Sequence, residues 1–252
     1  MFVNQKKDFY NRKTDKYIVA YLDLLGITNR IKSVEQQELQ MNKLYNLYTF
    51  STKIWKEIQI EEMKEIQFKI FSDNIIIVKK LSSIREQKIR DIKSLLMCTG
   101  HFQELAASDS VGWMLRGGIT IGELFIDDTM VWGEALIKAY HLEDNIANYP
   151  RVIIDETIID EIVDCEVLRD YIYKDFDGLY FLNYLCDCHF CGQMLMEGFE
   201  LMKQEIGYQY NEKIKQKFNW HMNFINKELD RKNEEKDKKY RLDMDNGKKM
   251  YR

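Results

Sequence analysis

The stretch IQFKIFSDNIIIVK, residues 66–79, limits the fold more than any other part of the chain: two runs rich in Ile, Val and Phe flank Ser72-Asp73-Asn74. Strand-prone runs on either side of Ser, Asp and Asn predict two antiparallel strands joined by a tight turn. Upstream, YIVAYLD (17–23) is an apolar, β-prone run that reads as a buried strand ending at Asp23. Between the two, from about residue 33 to 65, apolar residues such as Leu39, Leu44, Leu47, Tyr48 and Ile54 recur at helical spacing. The same reading predicts a helix over 84–108, a strand over 113–121 and a second strand pair over 123–132 turning at Asp127-Asp128. A helix over 133–148 and a short strand at 151–155 follow. The order β-α-β-β-α-β-β-α-β implies a mixed sheet with helices on one face, an α+β sandwich of the ferredoxin-like kind.

Composition narrows the function. The 252 residues are 45% hydrophobic and 31% charged, enough for one domain with a sizeable core. Lys and Arg number 37 against 41 Asp and Glu, so no nucleic-acid partner is expected. No run approaches the ~18 apolar residues of a membrane helix. The opening MFVNQKKDFYNRKTDK lacks the apolar stretch of a signal peptide. Five cysteines, an odd number in a long chain, suit a reducing compartment, so a cytoplasmic location is expected. Three parts are expected: a polar segment over 1–16, an α+β domain over 17–190, and a helical, charged extension over 191–252. After Glu228 the extension is nearly all charge and is expected to fray.

Two aspartates carry the strongest chemical signal. Asp23 closes a buried strand and Asp73 tips a hairpin with apolar flanks. If their strands are neighbours, both carboxylates emerge at one end of the sheet, a hard-oxygen pair suited to Mg²⁺ or Mn²⁺. The backbone of Leu24, Leu25, Gly26, Ile27 and Thr28, turning into a helix, would offer N–H groups to phosphates. The plainer alternative is that Asp23 caps a helix and Asp73 fills a turn position.

YLDLLGIT, FKIFSDNIII, LRGGITIGELF and VWGEALIKAYHLE, in that order across residues 17–155, resemble the motif series of class III nucleotidyl cyclases. Leu25-Gly26 after Asp23, and the Ala139, Tyr140, Leu142, Glu143 pattern, look most like the pyrimidine cyclases of bacterial Pycsar anti-phage systems. KFNWHMNFIN (217–226) is similar to a C-terminal segment of those proteins.

The resemblance implies that residues 17–190 form a cyclase domain in which Asp23, Asp73 and the Leu24 carbonyl hold two divalent metals. Leu25, Gly26 and Ile27 would then border the triphosphate. It implies a homodimer with active sites at the interface, a pyrimidine nucleoside triphosphate as substrate (UTP ahead of CTP), and a cyclic nucleotide that reaches a separate effector protein. The position that reads the base in purine cyclases falls on Lys69, the adenylate choice, and a second falls on Met130, which offers no useful acceptor for an adenine amino group. As a solvated strand residue, Lys69 would need no such role.

The Asn and Arg that purine cyclases carry four residues apart on the later helix are replaced by Ile137 and His141. Lys138 and Arg116 are candidate cations for phosphate; otherwise they are an exposed helix lysine and a strand-edge arginine. Two rival readings follow from these departures: an adenylate cyclase, or a silent cyclase-fold module that binds nucleotide or dimerises.

CDCHFC places Cys186, Cys188, His189 and Cys191 within six residues, yet zinc sites usually join two separated ligand pairs, so reduced thiols are the default expectation. Gly117-Gly118 is expected to allow close backbone packing rather than to bind phosphate.

Overall fold

The structure, a computed structural model, describes residues 12–58, 63, 65–187, 192–206 and 211–249. Residues 1–11, most of the expected N-terminal segment, lie outside the described residues, as do Cys188, His189 and Cys191. Strand β1 spans Asp15–Leu24 and helix α1 Val34–Ile58; β2 (Gln67–Phe71) and β3 (Asn74–Lys80) form the hairpin, and α2 covers Arg85–Ala107. Strand β4 runs Leu115–Ile126, β5 Val131–Trp132, α3 Glu134–His141, β6 Val152–Ile154 and α4 Glu156–Ile162. Then come β7 (Ile172–Lys174), β8 (Tyr180–Leu182), α5 (Gly192–Ile206) and α6 (Glu212–Lys249).

The strands form one mixed sheet in the order β2-β3-β1-β4-β6-β8-β7, with β5 paired to β4. All pairings are antiparallel except β4 with β6. The expected α+β class is therefore present. β1 is central and buried on both sides, which is why its sequence is a continuous apolar run instead of an alternation. Ile18, Ala20, Leu22 and Leu24 meet Leu47 of α1 and Ile92, Leu95 and Phe102 of α2. Tyr17 and Val19 point the other way, against Ala135 and Ala139 of α3.

The layer of helices on one face is thus built by α1 and α2, but the other face is not bare. The short α3 covers its β1–β4 half. The C-terminal helices cover the rest, where Phe199 and Met202 of α5 and Phe218, Phe224 and Ile225 of α6 pack with Ile153, Phe181 and Tyr184. Phe199, Phe218 and Phe224 of the extension are therefore core. Burying side chains of this size contributes roughly 1.5–3 kcal/mol each.

Three boundaries differ from the sequence reading. The break expected at residue 122 is absent: β4 continues because Gly122, lacking a side chain, lets α3 close on the strand; a Cβ there would lie 3.2 Å from that of Ala135. The helix expected over 133–148 splits into α3 and a π-turn over Leu142–Ile146. Past Glu228, where fraying is expected, α6 continues to Lys249. Glu and Lys are good helix formers, and Glu228 is itself buried, accepting from Tyr173, Asn183 and Arg231.

Candidate active site

Asp23 stands opposite Asn74 in the β1–β3 register, and the Leu24 N–H donates to the Asp73 carbonyl at 3.2 Å. The two aspartates therefore share one end of the sheet. The β2–β3 turn is only two residues long and puts Ser72 at φ 57°, the sole non-glycine with positive φ among the described residues. That conformation costs about 1 kcal/mol for an L-residue, offset by the strand pairing on either side. Beside it, the Tyr21 hydroxyl donates to Asn74 Oδ1 at 2.7 Å.

Arg116 sits opposite Asp23 on β4. This is a central strand, so the strand-edge reading of Arg116 does not hold. Its Nε donates to Asp23 Oδ2 at 3.1 Å, and its Nη2 lies 2.7 Å from Glu143 Oε1. The Glu143 side chain is 4% exposed and is delivered by the π-turn, a helical irregularity often found at functional sites. Glycines make this contact possible: a Cβ on Gly118 would fall 2.3 Å from the Leu142 Cβ, and one on Gly117 would fall 2.4 Å from the Tyr21 carbonyl. The Gly-Gly pair is a packing device, as expected.

One guanidinium does not offset the burial of two acids. Desolvation raises the Asp23 carboxyl above its ordinary value against the opposing pull of Arg116. Burial, opposed by Arg116 and reinforced by Asp23, pushes Glu143 up to about 7. Burial, with Glu143 and Asp23 nearby, lifts the Tyr21 phenol to about 12. Perturbed acids around a partly open cluster are a common mark of functional sites.

The remaining expected residues divide into two groups. After Asp23 the chain makes a 3₁₀ turn over Ile27–Arg30, entered through Gly26 at φ 80°. The Leu24 and Leu25 amides are already engaged, with Asp73 and Met114 carbonyls, leaving the amides from Gly26 onward at the turn's open end. Lys69 donates its Nζ to the Asp128 carbonyl at 3.2 Å, which brings it to the β4–β5 turn that carries the exposed Met130. Ile137 and Lys138 lie on the exposed side of α3, and His141 there contacts Asn145 at 3.1 Å. None of these five residues bonds to Asp23 or Asp73 among the described residues. Of the cysteine cluster only Cys186 is described, and burial pushes its thiol up to about 12, the behaviour of a reduced, protonated cysteine.

Sequence reasoning named Glu143 and Lys217 only within motifs and gave neither a role; Lys217 is a half-buried residue of α6. The donor set suits a hard divalent cation: two carboxylates with a backbone carbonyl between them. Among the described residues no three His, Cys, Asp or Glu side chains cluster as a metal site, so water or phosphate oxygens would have to complete the coordination. Among them, too, no helix is long and apolar enough to cross a membrane.

No family model and no curated protein sequence matches the chain. Solved structures with a similar outline include the monomeric guanylyl cyclase domain of the RhoGC fusion protein from the aquatic fungus Blastocladiella emersonii, at 13% identity and TM-score 0.49, covering 68% of this chain and 96% of that one. The guanylate cyclase domain of RhGC from Catenaria anguillulae, in complex with GTP, gives 12%, 0.42, 67% and 96%. A bacterial light-regulated adenylyl cyclase gives 14%, 0.42, 77% and 99%. Likenesses of this size say nothing of substrate or reaction.

Proposed function

We propose that the chain is a pyrimidine nucleotide cyclase, converting UTP, or less readily CTP, to its 3′,5′-cyclic monophosphate and pyrophosphate. The observation that carries the reading is the meeting of Asp23 and Asp73 at one end of the sheet, beside the turn that begins at Leu24. Asp23, Asp73 and the Leu24 carbonyl would hold two Mg²⁺ or Mn²⁺ ions, which when bound acidify the ribose 3′-OH and neutralise the triphosphate. The ribose 3′ oxygen attacks the α-phosphorus while the bond to the pyrophosphate oxygen breaks, and the 3′ proton leaves to solvent. Arg116 orients Asp23, and the turn from Gly26 borders the phosphates. Fixing these groups in place does most of the work such a reaction needs.

The reading includes a homodimer. Lys69, Met130 and Lys138 make no bond to this subunit's aspartates among the described residues, and exposed apolar side chains at Phe71, Met130, Trp132 and Ile137 offer a surface that a second copy can cover. In such a dimer, base and phosphate contacts would cross to the partner's aspartates. A second-messenger role in antiviral defence, through a separate effector, rests on the sequence resemblance alone, and a cytoplasmic location on the cysteine usage.

Incubation with Mn²⁺ and each ribonucleoside triphosphate in turn, with products resolved by mass, tests the reading. Cyclic UMP or CMP supports it and decides the base. Cyclic AMP would favour the adenylate reading that Lys69 suggests. No cyclic product from a folded dimer would favour a silent nucleotide-binding module, the reading Ile137 and His141 suggest.

A further inference from the structure

The turn after Asp23 is held at both ends by one short piece of chain, Gly112-Trp113-Met114, which leads into β4. At its start the Leu25 N–H donates to the Met114 carbonyl at 2.9 Å. At its end stands Arg30, the last residue of the turn and only 4% exposed. Its guanidinium gives both terminal nitrogens to the Gly112 carbonyl, at 3.2 and 3.3 Å. Between these anchors lie Gly26 to Asn29, which carry the amides of the turn's open end. The anchoring piece is itself fixed. The Gly112 and Trp113 N–H groups donate to the Ser108 and Ala106 carbonyls, where α2 ends, at 2.8 and 2.7 Å, and the Trp113 indole donates to Gln40 of α1 at 3.0 Å.

Packing alone does not call for a guanidinium at this place, since an apolar side chain of similar volume often fills a buried site as well as a buried charge does. What Arg30 adds is direction: two nitrogens on one oxygen fix where the turn stops. The acceptor is equally particular. Gly112 has φ 68°, in the left-handed region, and a Cβ there would lie 2.9 Å from the Leu201 Cβ of α5. α5 also packs on the turn itself. The helical extension therefore sits against both partners of the Arg30–Gly112 bond.

We infer that Arg30 is a positioning residue of the active site. It acts through the turn, setting the Gly26–Asn29 backbone against the reacting groups, and α5 sets Arg30 through Gly112. Arg30 itself touches no reacting atom. The inference rests on the cyclase reading for the reaction that the turn serves. It ties the C-terminal extension to catalysis through a contact that carries no substrate group.

Steady-state kinetics of the full chain, with Mn²⁺ and the nucleotide that the wild type cyclises, test this together with hydrogen exchange of the turn. Arg30→Met should lower kcat per folded molecule about tenfold, while KM stays within about threefold of the wild type. Exchange over residues 26–31 should quicken, with that of β1 unchanged. Arg30→Lys, which keeps a donor, should recover most of the rate. Should Arg30→Met fold poorly, Arg30→Gln keeps a polar side chain without the charge and should show the same loss. Gly112→Ala should lower kcat likewise, and adding it to Arg30→Met should cost little more, since both break one bond. Unchanged kcat or unchanged exchange of the turn in a folded Arg30→Met or Arg30→Gln variant overturns the inference while leaving the cyclase reading intact. A loss accounted for by the unfolded fraction does the same, as do losses that multiply in the double variant. A wild-type chain that makes no cyclic nucleotide overturns the cyclase reading, and the inference falls with it even if exchange shows the turn held.

Discussion

Two arginines in this molecule are each bracketed by a pair of acids, with opposite consequences. Arg151 is 1% exposed, bonded to Asp175 and Asp177, and lies against the Tyr149 and Trp220 rings at 5.4 and 5.7 Å. Its hydrogen bonds hold Asp177 below the usual carboxylate range. Arg116, between Asp23 and Glu143, leaves both of its acids raised. The acids of the first cluster stand at the rim, in a hairpin whose amides also bond them, with the Leu179 N–H on Asp177 and the Phe176 N–H on Asp175. The second buries Glu143 with fewer donors and stands beside a third acid, Asp73. A closed cluster joins elements of the fold; an under-compensated one is poised to take up further charge, as a metal–phosphate site must.

The widest separation between the two should come from Asp73. Asp73→Ala is expected to reduce cyclic product by at least about 10²–10³-fold, the scale on which preorganised charge contributes to catalysis. Its thermal midpoint should stay close to wild type, because the partly buried side chain makes no hydrogen bond among the described residues. Turnover assays and melting curves on the same sample check both halves, and full activity would remove Asp73 from the site. The Arg151 cluster should behave inversely. Arg151→Met leaves two acids facing each other and loses the ring contacts, at a cost of about 3 kcal/mol, read by urea denaturation. Arg116→Met should cost less than half of that, since Glu143, already pushed up to about 7, can take up a proton at pH 7 once the guanidinium is gone. Equal losses would mean that the two clusters do the same structural work.

Much of this was legible in the chain itself, for identifiable reasons. The β1 run, the Ser72-Asp73 turn and the Asp127-Asp128 turn depend on local pattern, and local pattern found them. The meeting of Asp23 with Asp73 needed only that β1 and β3 be neighbours. Arg116 was named but misplaced, because nothing local says that β4 pairs with β1 on one side and β6 on the other. Glu143 depends on a π-turn, whose extra residue shifts the helical register and defeats a reading at 3.6 residues per turn. Lys217 lies in a charged helix 101 positions from Arg116, where no spacing rule reaches. Its half-buried place exists only because Phe218 and Ile225 find a core against Phe181 and Tyr184.

α6 meets the Arg151 cluster through Trp220, which donates to Asp175, and His221 is the residue that tests how the helix is seated. The His221 ring is wholly buried and burial depresses its pKa to about 3, while its Nε2 meets the Tyr184 hydroxyl at 2.6 Å. In the unfolded chain it titrates near 6.5. Below that value the unfolded state takes up a proton that the folded state refuses, so stability falls as pH drops from about 6.5 toward 3. Between pH 7.5 and 6 the loss should be about 1 kcal/mol. His221→Gln, which keeps a hydrogen-bonding group for Tyr184 but cannot titrate, should flatten that slope without changing the behaviour of Asp177. If the pH slope persists in His221→Gln, the destabilisation arises from another group. If the slope disappears, the buried His221 ring is the group through which acid loosens the seating of α6.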